Sequence, residues 1–128
     1  MASRANILVV DDDLNVLRML ALTLFVEGFQ VSTADSGNDA MRLIAESEFD
    51  ILVVDLRMPG VNCFDIIEGF RDRSEGAPVI VTTKYPDDES MRLCSIAKAS
   101  VMQKPYNVHA LASNIRQALA HKAVASSP

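Results

Sequence analysis

Cysteine is scarce in this chain: 128 residues contain two, Cys63 and Cys94, far apart and with no companion cluster. That spacing argues against a thiolate metal centre and predicts small buried or half-buried thiols in a reducing cytosol. Long apolar runs are missing too, and no segment approaches the roughly 18 consecutive apolar residues that span a bilayer. Positive charge is the minority, 12 Lys and Arg against 17 Asp and Glu, and the net charge of −5 argues against nucleic-acid binding by the chain itself. Met1 to Asn6 is short and polar, with an acidic triplet closing the apolar stretch that follows, so no signal peptide is expected. There is no repeat and no low-complexity tract. A cytoplasmic protein with no membrane association is expected, with one domain built around its own core.

What the chain does have is a particular placement of acids. Asp11-Asp12-Asp13 ends the apolar run Ile7-Leu8-Val9-Val10, and Asp55 ends a second run, Ile51-Leu52-Val53-Val54. A fully apolar tetrapeptide is the pattern of a parallel strand buried on both faces. Acids just past two such strands project from the carboxyl edge of the sheet, where open α/β sheets bind ligands. Carboxylates crowded there repel one another unless a cation joins them. The pattern therefore predicts a magnesium site with one carboxylate left free for other chemistry.

Strand and helix patterns alternate five times. Asn6–Val10 reads as a strand, followed by a helix over Leu14–Glu27 with Leu17, Leu20, Ala21, Leu24 and Phe25 inward and Gly28 ending it. Phe29–Ala34 is the second strand and Asn38–Glu46 a short helix with Ala40, Leu43 and Ile44 on one face. Asp50–Val54 is the third strand. Met58-Pro59-Gly60 breaks the chain before a helix from about Phe64 to Arg71. Val79–Thr82 is the fourth strand, Asp87–Ala97 a weakly patterned helix, Val101–Gln103 a short fifth strand. Val108–Ala120 is the closing helix, with Leu111, Ala112, Ile115 and Leu119 inward. Such alternation implies an α/β fold, a doubly wound parallel sheet with right-handed crossovers. Five strands in so short a chain favour the flavodoxin-like order 2-1-3-4-5, which brings Asp11, Asp12 and Asp55 into one crevice. The domain is expected over residues 1–121. Residues 122–128 have linker composition, so this is expected to be either one piece of a longer protein or a stand-alone domain with an unstructured end.

Four motifs in order, each at the carboxyl end of an expected strand, resemble the receiver domain of two-component response regulators: Ile7 to Asp13, Val54 to Gly60, Pro78 to Thr83, and Lys104-Pro105-Tyr106. The resemblance covers essentially Asn6 to His121. Singly, each residue has an ordinary reading: Asp13 as a helix cap, Asp55 as a turn residue, Thr82 and Thr83 as strand residues, Lys104 as a surface lysine. Those readings do not predict four coincident strand ends. The resemblance implies phosphorelay signalling, with Asp55 as phosphoacceptor whose carboxylate attacks phosphorus and becomes an acyl phosphate. Such transfer asks the protein mainly for positioning and charge neutralisation. The resemblance also implies Mg2+, for which Mn2+ can substitute, held directly by Asp12 and Asp55, through water by Asp11, and by the backbone carbonyl of Arg57. Thr83 would hydrogen-bond a phosphoryl oxygen, with Thr82 as the alternative register. Lys104 would add a compact positive charge, aimed inward by a cis bond to Pro105. A module of this kind catalyses only its own phosphorylation and dephosphorylation.

The chain departs from the family pattern at several positions. Lys84 stands where a small residue usually follows the switch threonine; it either points to solvent or reaches over the site toward Asp55. With Arg57 it sets two cations beside an acidic pocket, which predicts an altered phosphoryl lifetime. Val101 replaces the aromatic residue whose ring turns inward with the threonine, and its β-branching forbids that swing. The connection from Thr83 to Lys104 is also one residue short. Cys63 replaces a common glycine, Tyr106 a common phenylalanine, and His109 and His121 are expected to be exposed.

The first helix carries more apolar residues than a core stripe needs, among them Val16, Met19, Leu22 and Val26. They either pack broadly on the sheet or, with the Pro105 loop, form the docking surface for a histidine kinase or histidine phosphotransfer protein. A downstream protein or fused output domain is a further expected partner, and the weak fourth helix and altered fifth strand lie on a face that relatives use for dimerisation. Two other function classes compete. One is a degenerate receiver acting as a phosphorylation-independent interaction module, which Lys84 and Val101 favour. The other is a phosphohydrolase, which would want an acid two residues past Asp55 where Arg57 stands. A flavin-binding domain would need a Ser/Thr/Gly-rich phosphate loop after the first strand, and none is there.

Overall fold

The computed structural model describes residues 4–125. Five strands, β1 (Asn6–Val10), β2 (Gln30–Ala34), β3 (Ile51–Asp55), β4 (Val79–Thr83) and β5 (Ser100–Gln103), alternate with five helices. The helices are α1 (Leu14–Val26), α2 (Gly37–Glu46), α3 (Cys63–Arg73), α4 (Asp88–Ile96) and α5 (Val108–Ala125). All strands pair in parallel, in the order β2-β1-β3-β4-β5. The expected doubly wound sheet is therefore the observed one.

The apolar tetrapeptides are buried on both faces because alternate residues feed different cores. Leu8, Val10, Leu52, Val54, Val79 and Val81 pack against α2 and α3, through Ala40, Ile44, Ile66 and Phe70. Ile7, Val9, Ile51, Val53 and Ile80 pack against α1 and α5, through Leu17, Leu20, Leu24, Leu111 and Ile115. At about 25 cal/mol per Å2 of apolar surface, two such layers supply most of the drive to fold.

Local signals set the helix ends. Asp13 caps α1 by accepting from the Asn15 and Val16 amides, and Ser36, Asn62 and Asp87 cap the next three helices in the same way. Gly28, at φ +106°, turns the chain out of α1. Two expectations need correcting. Phe25 is half exposed rather than inward: at about 100° per residue it lies a quarter turn past Leu24, and its ring carries the Arg4 guanidinium 4.6 Å away. The last helix runs past Ala120 to Ala125, so residues 122–125 of the expected tail are helical; residues 126–128 lie outside the described residues. No helix among the described residues is long and apolar enough to cross a membrane.

Candidate functional site at the carboxyl edge of the sheet

Strand register builds the site. Val10 pairs with Val54 across β1 and β3, so the residues that follow or end these strands, Asp11 and Asp55, stand level at the carboxyl edge. Asp55 in turn pairs with Thr82 on β4, and Thr83 with Gln103 on β5, one residue before Lys104. The Lys104 amide donates to the Thr83 carbonyl at 2.8 Å, and its bond to Pro105 is cis. Four separate segments thus converge on a cleft of about 770 Å3.

Within it, carboxylate oxygens of Asp11, Asp12 and Asp55 lie within 4.8 Å of one another. Asp11 and Asp55 are buried, at 2% and 8% exposure, while Asp12 faces the cleft opening. The Lys104 ammonium sits between the two buried acids, 2.9 Å from an oxygen of each. Burial by itself would lower the Lys104 pKa, but hydrogen bonds and charge from Asp11 and then Asp55 outweigh it and hold the pKa raised, at about 12. The second oxygen of Asp11 accepts from the Asp13 amide at 2.9 Å, and that of Asp55 from the Arg57 amide at 3.1 Å. Among the described residues Asp12 carries no such tie, and its carboxylate is open to the cleft. Three carboxylates against one ammonium leave excess negative charge on hard oxygens, a donor set that fits Mg2+.

The two candidate threonines separate cleanly. Both are buried, but Thr83 borders the cleft and Thr82 does not. The Thr83 hydroxyl accepts from the Tyr85 amide at 3.1 Å and from Nη1 of Arg57 at 2.9 Å. Lys84, expected either over the site or in solvent, is an exposed residue at the cleft rim, and among the described residues it forms no ion pair. The cation that reaches Thr83 is Arg57. Sequence reasoning gave that residue a backbone role at the metal and counted its side chain as a second cation beside the acidic pocket, but overlooked its partners; the acidic cap sequence Asp87-Asp88-Glu89 was the signal for one of them.

Other expected residues fall as follows. Val16 packs partly into the core and, with Met19 and Pro105, borders the cleft. Leu22 is elsewhere, in a shallow hollow with Phe25 and Val31 beside β2. Val101 lies half-buried against the α2–α3 side core, opposite Val81. Cys63 and Cys94 are buried thiols, and burial pushes Cys63 up to about 12. His109 and His121 are exposed, His109 contacting Glu27 at 2.8 Å.

Similarity to known proteins agrees with this geometry. The family model described as the response regulator receiver domain matches residues 7–116. The transcriptional regulatory protein KdpE of Mycobacterium tuberculosis is 26% identical over 120 residues, which cover 94% of this chain and 53% of that protein. The transcriptional regulatory protein GlrR of Escherichia coli is 31% identical over 123 residues, 95% of this chain and 28% of that one. The chain thus spans about half the length, or less, of these curated relatives. A response regulator receiver domain protein (CheY-like) from Methanospirillum hungatei superposes with a TM-score of 0.91 at 25% identity, covering 97% of this chain and all of that one. The chain belongs to the response regulator receiver domain family, the phosphorelay signalling module of two-component systems.

Proposed function

We propose that this receiver accepts a phosphoryl group on Asp55 from a phosphohistidine of a partner protein and changes its affinity for a downstream target as a result. The observation that carries this reading is the Lys104 ammonium held between Asp11 and Asp55, with Asp12 and Thr83 facing the same cleft. The Asp55 carboxylate, with one oxygen on the Arg57 amide and the other on the Lys104 ammonium, supplies the nucleophilic oxygen. That oxygen attacks phosphorus, the P–N bond to the imidazole breaks, and the ring nitrogen keeps the electron pair, so no other reactant is needed. Asp11, Asp12, Asp55 and the Arg57 carbonyl are the groups that would hold Mg2+, with Mn2+ as its substitute. Bound there, the ion neutralises the charge of the carboxylates and of the incoming phosphoryl oxygens.

The chain's own contribution is charge and position. Lys104 is fixed within hydrogen-bond reach of Asp55 and remains an ammonium across the working pH range, so a phosphoryl oxygen arriving on Asp55 meets a preset cation. The hydroxyl proton of Thr83 is a donor for another oxygen. The Arg57 amide holds one oxygen of Asp55 and fixes the rotamer from which the other reacts. Docking of the kinase or phosphotransfer protein is assigned to α1 through Val16 and Met19, with Leu22 further along it, and to the Pro105 loop, since Val16, Met19 and Pro105 border the cleft. The same reading takes residues 1–121 as the receiver unit of a cytoplasmic protein, joined to or acting on an output partner.

Intact mass after incubation with acetyl phosphate tests the reading. One phosphoryl group is expected on the wild type in Mg2+, none without divalent ion, and none on Asp55→Asn. A wild type that gains no mass in Mg2+ refutes it and favours the phosphorylation-independent interaction module, which the missing ring at Val101 would suit.

A further inference from the structure

The Arg57 side chain joins two places that the family resemblance leaves unconnected. Nη1 donates to the Thr83 hydroxyl at 2.9 Å and to the Tyr85 carbonyl at 3.0 Å, while Nη2 pairs with Oδ2 of Asp87. Asp87 is the cap of α4: its carboxylate accepts from the Ser90 amide at 2.9 Å and the Ser90 hydroxyl at 2.8 Å. One guanidinium therefore holds the switch threonine and the first turn of α4 together.

Besides this clasp, the turn is held by Met91, which packs partly buried against the core. Cys94 is the single fully buried residue of α4. Its far end is held by a second arginine, Arg71 of α3, which donates to the Ala97 and Lys98 carbonyls. On the neighbouring strand Val101 offers methyl groups where a swinging ring would otherwise sense Thr83. The Arg57–Asp87 pair is half exposed, at 49% and 46%, and exposed ion pairs are weak clasps that a stronger partner displaces. A phosphoryl group is such a partner, with about −2 charge and three acceptor oxygens, and guanidinium forks match phosphate well.

We propose that Arg57 is a latch between the acceptor site and α4, closed on Asp87 when Asp55 is free and released when Thr83 and the guanidinium turn to a phosphoryl group on Asp55. This rests on the phosphoacceptor reading above. The lone pairs of the Thr83 hydroxyl serve Arg57 and Tyr85, so swinging that hydroxyl toward Asp55 breaks the Arg57 contact. Asp87 then keeps its cap bonds to Ser90 but loses its cation, and the first turn of α4 opens more often. The signal leaves the site through α4, where Val101 closes the route through a ring.

Amide hydrogen exchange on the full chain tests this, in Mg2+ with and without beryllofluoride as the phosphoryl analogue. In the wild type the analogue is expected to speed exchange in the first two turns of α4 by about two- to fivefold, the range set by loss of one exposed ion pair. Asp87→Asn keeps a good helix cap while losing the charge. It is expected to show the faster exchange without the analogue, to respond no further, and to take up a phosphoryl group from acetyl phosphate as the wild type does. Arg71→Ala is expected to speed exchange at the other end of α4 and leave the analogue's effect on the first turns intact, which separates the latch from general loosening. Wild-type resting protection or a wild-type response in Asp87→Asn overturns the latch. So does a wild type that gains the phosphoryl mass while α4 exchange stays constant. A wild type that gains no mass refutes the acceptor reading, and the latch with it.

Discussion

Replacing Lys104 with methionine keeps most of the length of the side chain and removes the positive charge lodged among Asp11, Asp12 and Asp55. The ammonium lies 2.9 Å from both Asp11 and Asp55, with side-chain exposures of 17%, 3% and 11%. At an effective dielectric of about 20, each pair attracts by about 6 kcal/mol before the cost of desolvating the charges. Removing one partner of a buried pair costs about 3–5 kcal/mol in practice, because the remaining charge is left uncompensated. The cleft is open to water on the Asp12 side, which places Lys104→Met at the lower end, about 3 kcal/mol. For a domain of this size that is about 10 °C in Tm. The loss is expected in EDTA and expected to shrink in millimolar Mg2+, since an ion that binds only the folded state stabilises it by mass action. Adding Asp55→Asn should recover part of the loss, because a neutral amide at position 55 no longer repels Asp11 and Asp12 and leaves less charge for the lysine to compensate. Thermal unfolding of wild type, Lys104→Met, Asp55→Asn and the double variant, with and without Mg2+, decides the matter. A Lys104→Met variant as stable as wild type in EDTA, or one indifferent to Mg2+, would show that the three carboxylates do not share one electrostatic site.

Three further outcomes follow from the same geometry. The Lys104 pKa is raised on folding from 10.5 to about 12, so its stabilisation is complete below pH 10.5 and lost as pH rises through about 12. Urea midpoints over that range should fall more steeply in wild type than in Lys104→Met, a comparison that cancels Cys63 and Cys94, whose pKa values are also raised. Arg71 donates to the Ala77, Ala97 and Lys98 carbonyls, and Arg71→Ala should cost about 1–3 kcal/mol by urea unfolding, the penalty for acceptors left short of a charged donor. Two glycine substitutions should split in sign. A Cβ at Gly37 would stand 2.5 Å from Cβ of Val61, so Gly37→Ala should lose about 1–3 kcal/mol. A Cβ at Gly69 would meet the movable Cε of Met41 at 2.7 Å, so Gly69→Ala, inside α3, should be neutral or gain up to about 1 kcal/mol of helix propensity. Equal destabilisation of the two would contradict the packing described.

The alternation of apolar runs with helical spacings was enough to give the strand order, because a strand with Ile7, Leu8, Val9 and Val10 in succession has to be covered on both faces. The same runs placed Asp11 and Asp55 at one edge, since parallel register carries strand ends to a common level. Sequence patterning failed at Phe25, an apolar residue at the margin of the α1 stripe whose exposure depends on how far α1 rolls toward the sheet and on the Arg4 side chain that covers it. It gave only a weak signal for α4, expected over Asp87–Ala97 and observed over Asp88–Ile96, because its single buried residue, Cys94, leaves little periodicity.

The sequence by itself determined the layered α/β fold and the acids and lysine of the carboxyl edge, because these follow from local periodicity and from strand ends that parallel pairing must align. Only the tertiary structure decided which threonine borders the cleft, that Lys84 stands at the rim, and that the Arg57 guanidinium spans Thr83 and Asp87. A long charged side chain chooses its partners from groups 26 and 30 residues away in the chain, and no local pattern carries that information. The choice is made in space, by whichever acceptors the packed strands and the cap of α4 bring within hydrogen-bond reach.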